Sequence, residues 1–307
     1  MSIAKPRTAD LVDTITAGYR ALNRRPWIIA LPAALSATLW LTPPIPLGSL
    51  LGLSDLSALG GQLGLSAADW AALSQATLAS DARISLAWLN YVPVFPPVPT
   101  QTQLVVSSLD YAGPGPLLLL ALLINLVVLL VSGLFLSLLA EAVRDERPRP
   151  MIYLRQSLRW AHDLVRAWLA VMGIGLILAL PFLAISVLVV ATLPAATLVV
   201  ALAWYIAIFW VFVYTGFTPE AILLSQAGPL RALYLSFNLV RRDLAGALGL
   251  LILSLVITSG LAIIWHRLAD TPLGLTLAII ASAYVGSGLS AARLAFYRER
   301  SLRLVLG

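Results

Sequence analysis

Long apolar runs bounded by charge or proline alternate along this chain with shorter segments in which apolar residues recur every three or four positions. A hydrocarbon core about 30 Å thick demands a helix of roughly 20 apolar residues. Six runs meet or approach that length, at 27–41, 116–139, 168–193, 197–217, 245–265 and 273–295, and the pattern predicts six membrane-spanning helices. The first is the shortest, with Pro32 inside it and Pro43 and Pro44 at its end. Neighbouring helices can satisfy the carbonyl that such a proline frees.

The shorter segments read as amphipathic helices. Proline suits the first helical position because the N–H it lacks would have no partner there. From Pro229, Leu230, Leu233, Phe237, Val240 and Leu244 fall on one face; from Pro150, Met151, Leu154, Leu158, Ala161 and Val165 do the same. The two stretches share a register. Glu141, Ala142, Pro150, Leu154 and Ser157 recur as Glu220, Ala221, Pro229, Leu233 and Ser236, every one 79 residues further on. A third, diverged copy is read at 8–25, with Thr8 or Asp10 as cap, Leu11, Ile15, Tyr19 and Leu22 on one face, and Arg24 and Arg25 just ahead of a span. The expected fold is therefore an all-α membrane protein in which an amphipathic helix plus two spans repeats internally. Its single polytopic domain, 1–307, divides into an amphipathic helix at 1–26, a large extracytoplasmic loop at 42–115, amphipathic connections at 140–167 and 218–244, and a tail at 296–307.

Composition supports the membrane assignment. Of 307 residues 60% are hydrophobic and 11% charged, and the mean hydropathy of +0.92 excludes an ordinary soluble domain. The net charge of +6 does not point to nucleic acid, because the bases are placed asymmetrically. In the six-span layout 18 of the 20 Lys and Arg fall on one side, leaving Arg83 and Arg267 on the other. The positive-inside rule makes that side cytoplasmic, with both termini there, in the cytoplasmic (inner) membrane of a bacterium. Residues 1–26 are too polar for a secretory signal, so the first span is expected to stay uncleaved.

Chemistry is sparse. There is no cysteine, the only histidines are His162 and His266, and no P-loop, GxGxxG or GxSxG occurs. No catalytic, cofactor-binding or metal-ligating set is assigned. The repeated Glu141 and Glu220 mark cytoplasmic span ends, as boundary acids or as partners of arginines. Arg24, Arg25, Arg155, Arg159, Arg166, Arg241 and Arg242 are candidate contacts for anionic lipid or a partner protein. Asn125, the only amide in the spans, suggests an interhelical hydrogen bond; Ser282, Gly286 and Ser290 form a small-residue stripe for close helix packing. In the long loop, Ser66 and Asp69 have capping-box spacing, and the Pro-rich run with Trp88, Tyr91 and Phe95 suits an extended interfacial segment.

Gly228, Pro229, Ala232, Leu233, Ser236, Leu239, Val240 and Arg241 form a pattern that resembles bacterial multi-pass proteins similar to the membrane domain of glycerophosphoryl diester phosphodiesterases. The resemblance covers about 17 residues and the six-span layout around them; where that group carries an acid ahead of Gly-Pro, this chain has Ser225. It implies a membrane-domain fold and not the hydrolytic activity, which resides in a separate soluble domain. The functional expectation is a non-enzymatic membrane scaffold or accessory subunit that contacts lipid and other subunits of a membrane complex. The alternative is a permease subunit energised by a separate ATPase, although the glycine of the importer signature does not follow Glu141 or Glu220 at the required spacing.

Overall fold

The computed structural model describes residues 10–42, 45, 68, 80–97, 114–145 and 150–306. Among these, regular structure is helical: α1 Leu11–Asn23, a 3-10 turn Pro26–Ile29, α2 Ala30–Leu41, α3 Ala82–Ser85, α4 Pro114–Arg144 and α5 Pro150–Thr192. A second 3-10 turn, Pro194–Ala196, leads to α6 Thr197–Thr215, α7 Thr218–Ser225, α8 Pro229–Arg242, α9 Leu244–Leu268 and α10 Pro272–Leu306. The capping-box spacing at 66–69 lies outside the described residues, apart from Ala68.

Among the described residues five helical stretches are long and apolar enough to cross a membrane, where six were expected. The first expected span, 27–41, is a 3-10 turn followed by a 12-residue helix. At 1.5 Å per residue, that helix measures about 18 Å. Residues 150–167 form the first part of the 43-residue α5, and residues 296–306 form the end of α10.

The chain forms two compact units, one comprising Met1–Pro26, Leu136–Ile257 and Gly288–Gly307, the other Trp27–Phe135 and Thr258–Ser287. In the first, α1 starts with a capping box in which Asp10 is the cap and Asp13 reaches back. Its buried Thr14, Gly18, Ala21 and Leu22 form the packing face. Gly18 permits contact with α10, since a Cβ there would sit 2.4 Å from the Ala292 amide nitrogen; Tyr19 covers Gly288 in the same contact. In α8 the buried residues are Ala232, Ser236, Leu239 and Val240. Leu230 and Phe237 of the apolar face are exposed together with Tyr234. The corresponding buried set in α5 is Ser157, Trp160, Ala161 and Leu164, with Leu158 exposed. Each buried set combines small or hydroxylated residues with larger apolar ones, and the large side chains left outside lose nothing by exposure to a lipid solvent.

The second unit explains the polar residues within its apolar helices. Residues 87–97 run without helix, and Val92 and Phe95 are buried. Backbone in an apolar setting needs partners, and side chains supply them. Asn125 accepts from the Leu89 amide (3.1 Å) and donates to the carbonyls of Leu86 (2.6 Å) and Ala121 (2.8 Å). Ser132 Oγ accepts from the Tyr91 amide and Ser36 Oγ from the Phe95 amide, while Trp40 Nε1 donates to the Phe95 carbonyl. His266 Nε2 lies 3.1 Å from the Pro96 carbonyl oxygen. Asn125 thus holds a non-helical segment rather than another span. Gly286, in the small-residue stripe, is covered by the Pro93 ring.

Candidate functional site: charged helix ends of the first unit

Charged side chains of the first unit gather where its helices end. A helix leaves its last four carbonyls without intrahelical partners, and arginines from other helices take several of them. Arg298 Nη1 donates to the Val143 carbonyl near the end of α4 (2.6 Å). Arg144 Nη2 donates to Leu223 and Leu224 in the last turn of α7 (3.3 and 2.9 Å), and Arg293 Nη2 to Gly216 just beyond α6 (2.5 Å). In the second unit Arg83 does the same for α2, reaching the Leu39 carbonyl at 3.3 Å. These contacts suit the negative end of the helix dipole.

The two repeated acids are both paired. Glu220 is 6% exposed, and its Oε1 lies 2.9 Å from Arg293 Nε. Glu141 is 9% exposed, and its Oε2 lies 3.7 Å from Arg25 Nη1. Arg25 is therefore enclosed against an acid, not presented to lipid as expected. Arg24 pairs with Asp145 at 3.1 Å while half of its side chain stays exposed. Arg155, Arg159, Arg166, Arg241 and Arg242 are exposed.

The other repeat positions have defined places. Pro150 and Pro229 open α5 and α8. Ser236 Oγ accepts from the Phe217 amide (3.1 Å) and donates to the Tyr214 carbonyl (2.7 Å), joining α8 to the break between α6 and α7. Ser157 Oγ is buried and finds no hydrogen-bond partner among the described residues. In the stripe on α10, Gly286 is used as described above; Ser282 and Ser290 are half-buried.

Sequence reasoning missed a third acid. Glu299 lies 79 residues beyond Glu220, as Glu220 does beyond Glu141, and its Oε1 lies 3.2 Å from Arg300 Nη1. The same 79-residue step along the sequence identifies it, although the residue after it is Arg300 where the others have alanine. Also missed was Asp243, whose carboxylate accepts from the Gly246 amide at the start of α9 (3.1 Å) and pairs with Arg300 (2.7 Å).

Among the described residues no group of three or more His, Asp and Glu has the arrangement of a metal site. The geometry assembles ion pairs, helix caps and a set of outward-facing guanidinium groups, an arrangement suited to holding helix ends and meeting anions. No protein-family model, curated protein or solved structure matches this chain. The resemblance carried by Gly228 to Arg241 gains no support from these comparisons.

Proposed function

We propose that this multi-pass all-helical membrane protein is a non-enzymatic scaffold or accessory subunit of a bacterial cytoplasmic membrane, contacting anionic lipid through arginines of α5 and α8 and binding other subunits of a membrane complex. The observation that carries the reading is the double character of α8. It exposes Leu230, Tyr234 and Phe237, and its last turn ends in exposed Arg241 and Arg242. An apolar strip beside guanidinium groups is what a helix needs to rest among headgroups with its cations at phosphate level.

Six passages with both termini on the cytoplasmic side remain our reading. It rests on the one-sided placement of the arginines and on 26–41 as a short passage, and the packing of α1 beside Gly288 and Ala292 of α10 is in keeping with it. The likeness of α8 to the membrane domains named above is in keeping with this reading.

Replacing Arg241 and Arg242 together by Gln tests it. Flotation with phosphatidylglycerol vesicles, using the full chain in mixed micelles, is expected to fall several-fold and to become insensitive to salt. Unchanged flotation removes the lipid role. Affinity capture from native membranes tests the partner role, and recovery of the chain alone under mild detergent counts against an accessory subunit.

A further inference from the structure

The first unit contains an open groove of about 540 Å³, formed by α1, the end of α4 and the last turns of α10. Its size suits a headgroup or small metabolite. Four arginines line it: Arg20, Arg24, Arg144 and Arg298. Arg24 is paired with Asp145, leaving three guanidinium groups for which no carboxylate lies within 4.0 Å among the described residues. Arg144 and Arg298 bond instead to helix carbonyls. A helix terminus carries only about half a unit of negative charge, spread over several groups, so a guanidinium fixed there keeps most of its own charge. The carbonyl bonds also hold these two side chains in place. Their remaining N–H groups are therefore oriented before any ligand arrives, which lowers the ordering cost of binding. Arg20, one turn before Arg24 on the same face of α1, is exposed and adds a third cation. Of the other acids on the groove wall, Asp13 contacts the Asp10 amide within the capping box and Glu299 pairs with Arg300.

We propose that this groove is a specific phosphate-binding site, in which Arg144 and Arg298 provide preset donors and Arg20 closes over the anion. Planar guanidinium forks match phosphate oxygens, and three convergent cations exceed what nonspecific attraction to a charged surface requires. The phosphate is either that of a lipid headgroup or a free phosphate compound. The site does not depend on the lipid contacts proposed for α5 and α8, since it uses none of their arginines.

The test uses the full chain in phosphatidylcholine nanodiscs, titrated calorimetrically with inorganic phosphate in one arm and with dihexanoyl phosphatidylglycerol in the other. Saturable binding is expected in at least one arm; binding of phosphate alone assigns a soluble ligand, and tighter binding of the lipid assigns a headgroup. Arg298→Gln and Arg20→Gln are each expected to weaken binding by about tenfold, the effect of losing one charge-assisted hydrogen bond. Arg241→Gln with Arg242→Gln should leave it within about twofold. Arg298 also caps a helix, so a lower melting temperature in that variant would transfer the decision to Arg20→Gln, whose side chain supports no other contact described above. Absence of saturable binding in both arms, or Arg20→Gln binding like the parent chain, overturns the site.

Discussion

The two register-matched copies begin from the same residues and diverge in how their helices are cut. In the later copy α6 ends at Thr215, and α7 starts again at Thr218 with Pro219 in its first turn. Proline cannot donate to a carbonyl of the preceding turn and disfavours helix in the residue before it. The freed Phe217 amide and Tyr214 carbonyl go to Ser236. In the earlier copy the matching position is Ala140, α4 continues without interruption, and Ser157 Oγ has no hydrogen-bond partner among the described residues. The second cut follows the same logic. Asp243 accepts from the Gly246 amide and separates α8 from α9, whereas the residue 79 positions earlier is the buried, apolar Leu164, and α5 runs straight through. Repetition of Glu, Pro and Ser thus preserves placement, while single residues between them decide continuity.

This contrast can be broken by substitution, most severely at the acids. Arg293→Met leaves Glu220 buried without its cation and is expected to cost about 3–5 kcal/mol of unfolding free energy in detergent. Arg25→Met, removing a longer pair of 3.7 Å against 2.9 Å, should cost less, about 1–3 kcal/mol. Equal losses would show that the two acids are equivalent after all. Ser236→Ala is expected to cost about 1–3 kcal/mol, because two buried backbone groups lose their partner. Asp243→Ala should cost about 1 kcal/mol as a lost cap, with faster amide exchange at Gly246 as its local signature. Smallest is Ser157→Ala, expected to be neutral or to stabilise by up to about 1 kcal/mol, since it removes a buried hydroxyl that has no partner. A loss matching that of Ser236→Ala would mean that the earlier copy uses its serine as the later one does.

What the sequence made legible follows from which signals are local. Pro150 and Pro229 announce helix starts, Asp10 announces a cap, and apolar length reveals five helices able to cross a membrane. The remaining run, 27–41, differs from these because its opening residues form a 3-10 turn and only 12 residues continue as α-helix, which apolar length alone does not reveal. Periodicity placed the apolar residues of α5 and α8 on one face each, but which of them meet protein is not a local signal: Leu230 and Leu158 are exposed while Val240 and Ala161 are buried. The pairings of Arg293 with Glu220 and Arg298 with Val143 join residues 73 and 155 positions apart, and no local pattern encodes them. Asn125 was visible as an unusual residue, but its true partners could be found only once the position of 86–89 was known.

The buried segment 87–97 bears on how the chain is made. Its backbone borrows partners from Ser36 and Trp40, synthesised before it, and from Asn125, Ser132 and His266, synthesised after it. The last of these is 170 residues away from Pro96, beyond three of the five long apolar helices and within the fourth. Until His266 has left the ribosome, this stretch lacks part of its hydrogen-bonding shell. Its final seating is therefore a late step of biogenesis, imposed by the order in which the helices emerge.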